Sequence, residues 1–289
     1  MSASDRACTC DLMRQLDHIV MPFAALSEAR AFFESLGFTV APDAQHPFGT
    51  GNACIYLADG LFIEPLARVD EDACEAADRD GNLFVRRDAA FRAEHPSAFS
   101  GLALKSDDSL KDRESLALVG LAEEATVDFE RTLTLPDATT GELAFRLAFV
   151  KDFAPRAPNI FLCEVRRSAT VDRGELTSHR NGATGLAGIE FATTDIEAAE
   201  AYFQAVLDGD SDEDEDGNLF FDLPNGRVTV TEVGGEGVPA FSLSAIVIRT
   251  GDLGAVRGVL SEAAVDFEAE EDYLAVTCPN GAGRIVFTG

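Results

Sequence analysis

The chain of 289 residues has only three lysines, no tryptophan and only three tyrosines. Its 23 basic residues are outnumbered by 51 acidic ones, which gives a formal net charge of −28 at pH 7. Such a surface repels the phosphates of nucleic acids and of anionic lipids. We therefore expect neither a nucleic acid nor a membrane as a partner.

Long apolar runs and a disulfide framework are missing as well. No segment approaches the roughly 18 apolar residues that a membrane-spanning helix needs. Residues 1–13 carry charges at Asp5, Arg6 and Asp11 and contain no apolar block, so they predict a disordered leader and not a secretory signal. The six cysteines are scattered along the chain, which favours a reduced, cytoplasmic protein.

What the sequence does contain is a pattern of one strand, one helix and about three strands, repeated along the chain. In the first copy, residues 16–20 predict a strand and residues 27–36 a helix that ends at Gly37. Three further strands are predicted at residues 38–40, 53–57 and 61–66, and the turn Asp59-Gly60 joins the last two.

Three more copies follow the same order. They begin with predicted strands at 100–105, 186–191 and 243–249, continue through helices that end near residues 121, 207 and 263, and close with strands at 159–165, 227–233 and 284–288. Between the first two copies, residues 69–80 are acidic and residues 83–94 predict a bridging helix. A lone copy cannot cover its own sheet, so the repeats predict an α+β fold in which the copies pair.

Several segments resemble a known family. They are LDHIV from residue 16, GFTVAPDAQHPFGTGN from residue 37, FIEPLA from residue 62 and SHRNGATGLAGI from residue 178. These segments are similar to the glyoxalase-like domain of the vicinal-oxygen-chelate superfamily, which includes glyoxalase I, extradiol dioxygenases and bleomycin-resistance proteins. The resemblance covers roughly residues 14–190 and extends more loosely beyond them.

The resemblance implies four βαβββ units that pair into two curved mixed sheets with the helices on the outside. It also implies a divalent metal on the concave face of a sheet, held by residues of the first and last strands of each unit. We predict a glyoxalase-like pair of units with the site over residues 14–170, a linker over 171–184, and a second, degenerate pair over 185–289.

Two glutamates within apolar strand-like runs indicate a site. Glu64 lies in residues 61–65 and Glu164 in residues 161–165. A buried, uncompensated carboxylate costs several kcal/mol. A metal, a cation or a dense set of hydrogen bonds is therefore expected beside each.

Strand alternation places three polar residues on mostly apolar faces: His18 with Leu16 and Val20, Glu64 with Phe62 and Leu66, and Glu164 with Leu162 and Arg166. By the resemblance, His18, Glu64 and Glu164 are the metal ligands, and the fourth position falls at Gly101, which has no side chain. One imidazole and two carboxylates could hold zinc, manganese, iron or nickel, with water completing the coordination.

Ion pairs offer an alternative without a metal. Glu164 could pair with Arg146, and Glu64 could pair with Arg86 or Arg87 on the bridging helix. A buried ion pair meets the same desolvation cost.

Further candidates lie in loops and in a neighbouring strand. The predicted loop 45–52 carries His46 and Asn52, and His46 is a candidate for the missing nitrogen ligand, for a general acid or base, or for a simple turn residue. Glu164 and His46 are the catalytic candidates. The candidates for substrate binding are Arg146, His179 and Asn52.

Two functions follow from these patterns. The first is a metal-dependent lyase, isomerase or dioxygenase-type enzyme on a small oxygenated molecule, with the metal as Lewis acid and Glu164 or Glu64 as base. The second is a metal-free binding or sequestration protein of the bleomycin-resistance type. Four units in one chain can complete two curved sheets, so a monomer and a homodimer are both compatible with the sequence.

Overall fold

The structure contains the alternating strands and helices that the sequence periodicity predicts. The computed structural model describes residues 13–93, 99–134, 140–155, 157–168, 173–235, 237–279 and 283–289. Apart from Met13, the predicted leader over 1–13 lies outside the described residues.

The first sheet is built from the first two units. Its strands are β1 (Leu16–Pro22), β2 (Ala44–Gln45), β3 (Thr50–Asn52), β4 (Ile55–Tyr56), β5 (Phe62–Arg68), β6 (Gly101–Ser106), β7 (Ala122–Thr134), β8 (Thr140–Val150) and β9 (Asn159–Arg167). The helices are α1 (Leu26–Ser35), α2 (Glu71–Arg79), α3 (Leu83–Arg92) and α4 (Ser109–Leu118). The strand order is β2-β3-β5-β1-β6-β9-β8-β7, with β4 paired to β5. The first strands of the two units, β1 and β6, thus meet antiparallel at the centre.

The second sheet repeats this plan after a short 3-10 helix at Gly174–Thr177. Its strands are β10 (Ala183–Thr193), β11 (Asp212–Glu213), β12 (Leu219–Leu223), β13 (Gly226–Glu232), β14 (Phe241–Thr250), β15 (Glu268–Ala269), β16 (Tyr273–Thr277) and β17 (Arg284–Thr288), and its helices are α5 (Ile196–Leu207) and α6 (Leu253–Glu262). The order β11-β12-β13-β10-β14-β17-β16-β15 places β10 and β14 at the centre. The predicted α+β fold of four paired units in two curved mixed sheets is confirmed.

One apolar core joins the two sheets. Four helices (α1, α4, α5 and α6) and both sheets contribute side chains to a single cluster. The ring of Phe38, which follows α1, lies 5.9 Å from that of Phe287 in β17. The Asn225 side chain also bonds both backbone groups of Leu16. The face of the first sheet that contributes to this core is called its helix face.

The opposite face of the first sheet, called the site face, is covered by α2 and α3. Val20, Leu66 and Phe161 of the sheet pack there against Phe84 and Val85 of α3. The acidic stretch 69–80, for which no secondary structure is predicted from the sequence, contains the helix α2. Asp70 explains its start, since the Asp70 side chain accepts a hydrogen bond from the backbone N–H of Ala73.

The strands of the first unit also differ from the prediction. Residues 38–40 were expected to form a strand, and they do not. The Thr39 backbone N–H donates to His179 Nδ1 and its hydroxyl to the carbonyl of Ser178, so the connection to the second sheet occupies these groups. The expected loop 45–52 instead contains most of the hairpin of β2 and β3.

Candidate active site

A β-bulge in β1 shapes the start of the site. The pairing of β1 with β6 shifts register between Leu16 and His18. Leu16 therefore joins the core on the helix face, and the predicted grouping of His18 with Leu16 is wrong. A regular strand would point Asp17 and His18 to opposite faces, whereas here the Nδ1–H of His18 donates to Asp17 Oδ2 over 2.6 Å.

Glu64 faces His18 from the neighbouring strand. Val20 of β1 pairs with Glu64 of β5, which places both side chains on the site face. Glu64 Oε2 lies 3.4 Å from His18 Nε2. Its other oxygen, Oε1, accepts a hydrogen bond of 2.5 Å from the Asn52 side-chain amide. All three side chains are buried.

His46 joins this group from the turn between β2 and β3. Gly49, with a φ of +91°, closes the turn, and the His46 backbone N–H donates to the Thr50 carbonyl. His46 Nδ1 lies 2.9 Å from Thr50 Oγ1, and His46 Nε2 lies 3.7 Å from Glu64 Oε1. The Asn52 amide nitrogen lies 3.5 Å from His46 Nε2, which suits a neutral imidazole with its proton on Nδ1.

Glu164 does not belong to this group, which corrects its assignment as a ligand and as a base in the cluster. Phe161 and Cys163 take the site face of β9, so alternation turns Leu162 and Glu164 to the helix face. Glu164 Oε2 accepts hydrogen bonds from the backbone N–H and the hydroxyl of Ser109, at 3.1 and 2.6 Å. Glu164 thus binds the first turn of α4.

Arg146 also lies away from the cluster. It shares the helix face of β8 with Ala148 and donates to Asp128 over 2.9 Å. The expected role of Arg146 in a site beside His18 is therefore not supported, and its ion pair is with Asp128 and not with Glu164.

The other predicted partners hold different parts of the chain. Arg86 pairs with Asp78 over 2.9 Å, and Arg87 pairs with Glu123 over 2.7 Å. Glu64 therefore has the Asn52 amide and His18 as its compensating neighbours, and the alternative of an ion pair between Glu64 and either arginine is wrong.

His179 has a connecting role. Its Nδ1 accepts from the Thr39 backbone N–H, and its Nε2–H donates to the Tyr56 carbonyl, each over 3.0 Å. Both ring nitrogens are thus engaged by backbone groups.

The pKa values of the two clustered histidines are shifted in opposite directions. Burial alone would lower the pKa of His18, but the hydrogen bond to Asp17 and the negative charges of Asp17 and Glu64 outweigh it, so this pKa is raised. Burial lowers the pKa of His46 to about 4 against the opposing charge of Glu64, and Arg131 and His18 add to the lowering. His46 is therefore neutral at pH 7.

Cysteines on the site face are unreactive. Burial raises the pKa of Cys54 to about 12 and that of Cys163 well above its ordinary value. Both remain thiols at neutral pH, and a thiol is neither the nucleophilic nor the metal-binding form.

The donor atoms suit a divalent metal by their chemistry. The Nε2 atoms of His18 and His46 lie near the two oxygens of Glu64. The Nδ1 atoms of the same histidines contact Asp17 and Thr50, and metal-binding histidines commonly have such hydrogen-bond partners on the nitrogen that does not bind the metal. Their spacing is that of a hydrogen-bonded cluster. Within the described ranges, no group of three His, Cys, Asp or Glu side chains has the arrangement of a metal site.

Gly101, the expected fourth ligand position, leaves a narrow cavity beneath α3. The cavity is lined by Gly101 and by side chains that include Val20, Phe84, Asp88 and Phe161. A Cβ at Gly101 would lie 3.3 Å from the Asn159 carbonyl oxygen and 3.5 Å from Phe161 Cε1, so a side chain at this position would occupy the space. The cavity therefore depends on glycine at this position.

Arg131 was missed by the sequence analysis. It follows Val127 and Phe129 by strand alternation in β7, so it lies on the site face near His46. The alternation of 127, 129 and 131 was readable in the sequence. The curvature that brings β7 towards the β2–β3 hairpin, with Phe129 5.4 Å from His46, was not.

No α-helix in the described part of the chain is both long and apolar enough to cross a membrane. No curated protein matches the sequence at a significant level. A family model described as a glyoxalase-like domain matches residues 16–207.

Solved structures share the whole fold at low sequence identity. A hypothetical protein from Staphylococcus aureus has a TM-score of 0.67 and 14% identity, covering 95% of this chain and 98% of its own. The Mn(II)-bound glyoxalase from Novosphingobium aromaticivorans has a TM-score of 0.57 and 12% identity, covering 96% and 83%. Homoprotocatechuate 2,3-dioxygenase from Arthrobacter globiformis has a TM-score of 0.56 and 13% identity, covering 97% and 80%.

Proposed function

Because the chain belongs to the glyoxalase-like domain family, whose model covers residues 16–207, we propose that it is a divalent-metal-dependent enzyme acting on a small oxygenated molecule. The reaction is of the lyase, isomerase or dioxygenase type. One observation carries the proposal: the Nε2 atoms of His18 and His46 approach the two oxygens of Glu64 at 3.4 and 3.7 Å. Two structural neighbours, a Mn(II)-bound glyoxalase and a 2,3-dioxygenase, are consistent with it.

His18, His46 and Glu64 would hold the metal, which when bound would supply Lewis-acid polarisation of substrate oxygens. Asp17 keeps the His18 proton on Nδ1, so the lone pair of neutral His18 lies on Nε2 and faces Glu64. The Asn52 amide fixes the direction of the Glu64 carboxylate. These outer contacts orient the three donors before any substrate enters.

The cover of α2 and α3 excludes water from the cluster. His18, His46 and Glu64 are each only 6% exposed. In such surroundings electrostatic interactions with a substrate are stronger than in water. Phe62, which stacks on His18 at 4.4 Å, is itself only half-buried.

A metal-free binding protein is the second candidate. The hydrogen bond from Asn52 to Glu64, together with the His18–Glu64 contact, already compensates the carboxylate. The spacing of the donors, which is not that of a metal site within the described residues, favours this alternative.

Metal analysis of the full-length protein, purified without chelator, separates the two candidates. We expect about one equivalent of a divalent transition metal per chain in the wild type. His18→Ala and Glu64→Gln remove a nitrogen and a charged oxygen donor, so each should reduce metal content at least tenfold. Elemental analysis by mass spectrometry, after incubation with manganese, iron, zinc or nickel, measures this loss.

His179→Ala is the control, because His179 is a partly buried histidine outside the cluster whose ring nitrogens bond only backbone groups in the described structure. It should keep the wild-type metal content. A wild-type protein that binds none of the four metals, and whose melting temperature is the same with and without EDTA, would rule out the metal-dependent enzyme.

A further inference from the structure

Arg131 is an unusual cation on the site face. Its neighbours on β8 are Leu143, its register partner, and Phe145, whose ring centroid lies 5.8 Å from the guanidinium carbon. The side chain is half-buried, so one part of it contacts solvent.

Two guanidinium nitrogens of Arg131, Nε and Nη1, are buried and have no hydrogen-bond partner among the residues that the structure describes. By contrast, Arg87 has a carboxylate acceptor in Glu123, and Arg146 has one in Asp128. Burying these donors removes their hydrogen bonds to water without replacement, which is destabilising. Within the described structure, these two donors of Arg131 therefore lack an acceptor.

The positive charge of Arg131 acts electrostatically on His46 of the His–Glu cluster. It helps to lower the pKa of His46, and it acts in the same direction on Cys54 and Tyr56 of the first unit. Arg173 adds a second positive charge there, since its guanidinium lies 4.1 Å from the centre of the Tyr56 ring. Two positive charges, those of Arg131 and Arg173, thus act on Cys54 beside the cluster, in a chain whose net charge is −28.

We propose that Arg131 binds the carboxylate of an anionic substrate whose remaining atoms reach His18, His46 and Glu64. A carboxylate supplies the hydrogen-bond acceptors that Nε and Nη1 lack and forms charge-assisted bonds with a guanidinium. Phe145 lies beside Arg131 and stacks on Phe129 at 5.1 Å, so an acid with an apolar body suits these surroundings. The proposal rests on the proposed use of the cluster as a substrate site.

Calorimetric titration of the full-length protein with benzoate and with benzamide tests the inference. The two probes have nearly the same shape, but only benzoate is an anion. We expect benzoate to bind saturably and at least tenfold more tightly than benzamide. Arg131→Gln should weaken benzoate binding at least tenfold, and Arg131→Lys should restore part of it because the charge returns.

Arg257→Gln is the matched control, since Arg257 also lies over a phenylalanine, 5.6 Å from the Phe267 ring, in the second half of the chain. It should leave benzoate affinity unchanged. Inorganic phosphate is the second oxyanion probe, and tighter binding of phosphate than of benzoate would overturn the carboxylate assignment.

Stability provides an independent readout. Arg131→Met removes the unsatisfied donors and keeps the apolar stem, so its Tm should rise by about 2–4 °C. Benzoate should raise the Tm of the wild type and not that of Arg131→Met.

Equal binding of benzoate and benzamide, or full benzoate affinity in Arg131→Gln, would overturn the inference. Its failure is distinguishable from failure of the metal proposal. A protein that loads metal but does not prefer benzoate contradicts the role of Arg131 alone. A metal-free protein that binds benzoate through Arg131 contradicts the metal proposal alone.

Discussion

Glu64 and Glu164 show how one residue type in two similar apolar strands acquires different surroundings. Glu64 shares its face with Leu66, under the cover of α2 and α3, and receives Asn52 and two histidines. Glu164 shares its face with Leu162 and receives the first turn of α4. Period-two alternation correctly predicts which neighbours each glutamate has on its own strand. It cannot predict which of the two faces α2 and α3 cover and which face α4 covers.

Replacing Glu164 tests this distinction. Glu164→Gln keeps the shape of the side chain but removes a charge that accepts two hydrogen bonds beside the N-terminus of α4. We expect a loss of about 1–2 kcal/mol in the free energy of unfolding, measured by urea denaturation. Metal content should remain that of the wild type. A tenfold loss of metal in this variant would show that Glu164 acts in the cluster after all.

At the level of elements, the segments with a strong apolar period were predicted best. The helix predicted to end near residue 207 and the strand predicted at 284–288 match α5 and β17 in the structure. Both have a strong apolar period within one continuous segment. The short strands β2 and β3 have no such signal, because they owe their pairing to β5 and to contacts with Phe129 across the site face.

The geometry of the site depends on these short strands, which the sequence does not signal. His46 and Asn52 were placed together in a segment, but their approach to Glu64 needs the β2–β3 hairpin. The contact between Asp17 and His18 needs a bulge that strand alternation does not anticipate. The candidates His18, Glu64, His46 and Asn52 could be predicted, whereas their geometry and the presence of Arg131 required the curved sheet.

His179 gives a pH-dependent link between elements. Burial lowers its pKa, although the hydrogen bond to the Tyr56 carbonyl opposes this. Protonation would also add a hydrogen to Nδ1, which accepts from the Thr39 backbone N–H. Between the lowered pKa and 6.5 the unfolded chain binds more protons at His179 than the folded protein, so stability is lost as the pH falls through this window.

A comparison of wild type with His179→Gln isolates this contribution. Glutamine can accept and donate hydrogen bonds but does not titrate. We expect the wild type to lose more unfolding free energy than the variant when the pH is lowered from 7.5 to 5, measured by urea denaturation at both values. Equal losses in the two proteins would show that His179 is not the titrating group.

At the scale of the whole molecule, the two predicted pairs of units share one apolar core. The boundaries 14–170, 171–184 and 185–289 remain a prediction. Apolar side chains from both sheets and from α1, α4, α5 and α6 nevertheless form one cluster. The Asp59 side chain accepts from the backbone N–H of Leu186, and the Asn181 side chain donates to the carbonyl of Leu36. Ordering of either sheet therefore removes water from the other.

This shared core predicts one cooperative unfolding transition for the full chain. Phe287 is fully buried in β17 and stacks on Phe38, which follows α1. Phe287→Ala should destabilise the protein by about 3–5 kcal/mol and move the entire calorimetric transition to lower temperature without splitting it. Phe220→Ala, in the same sheet but only half-buried beneath Arg227, is the control and should cause a smaller shift. Two transitions, of which Phe287→Ala moves only one, would instead establish that the two sheets unfold independently.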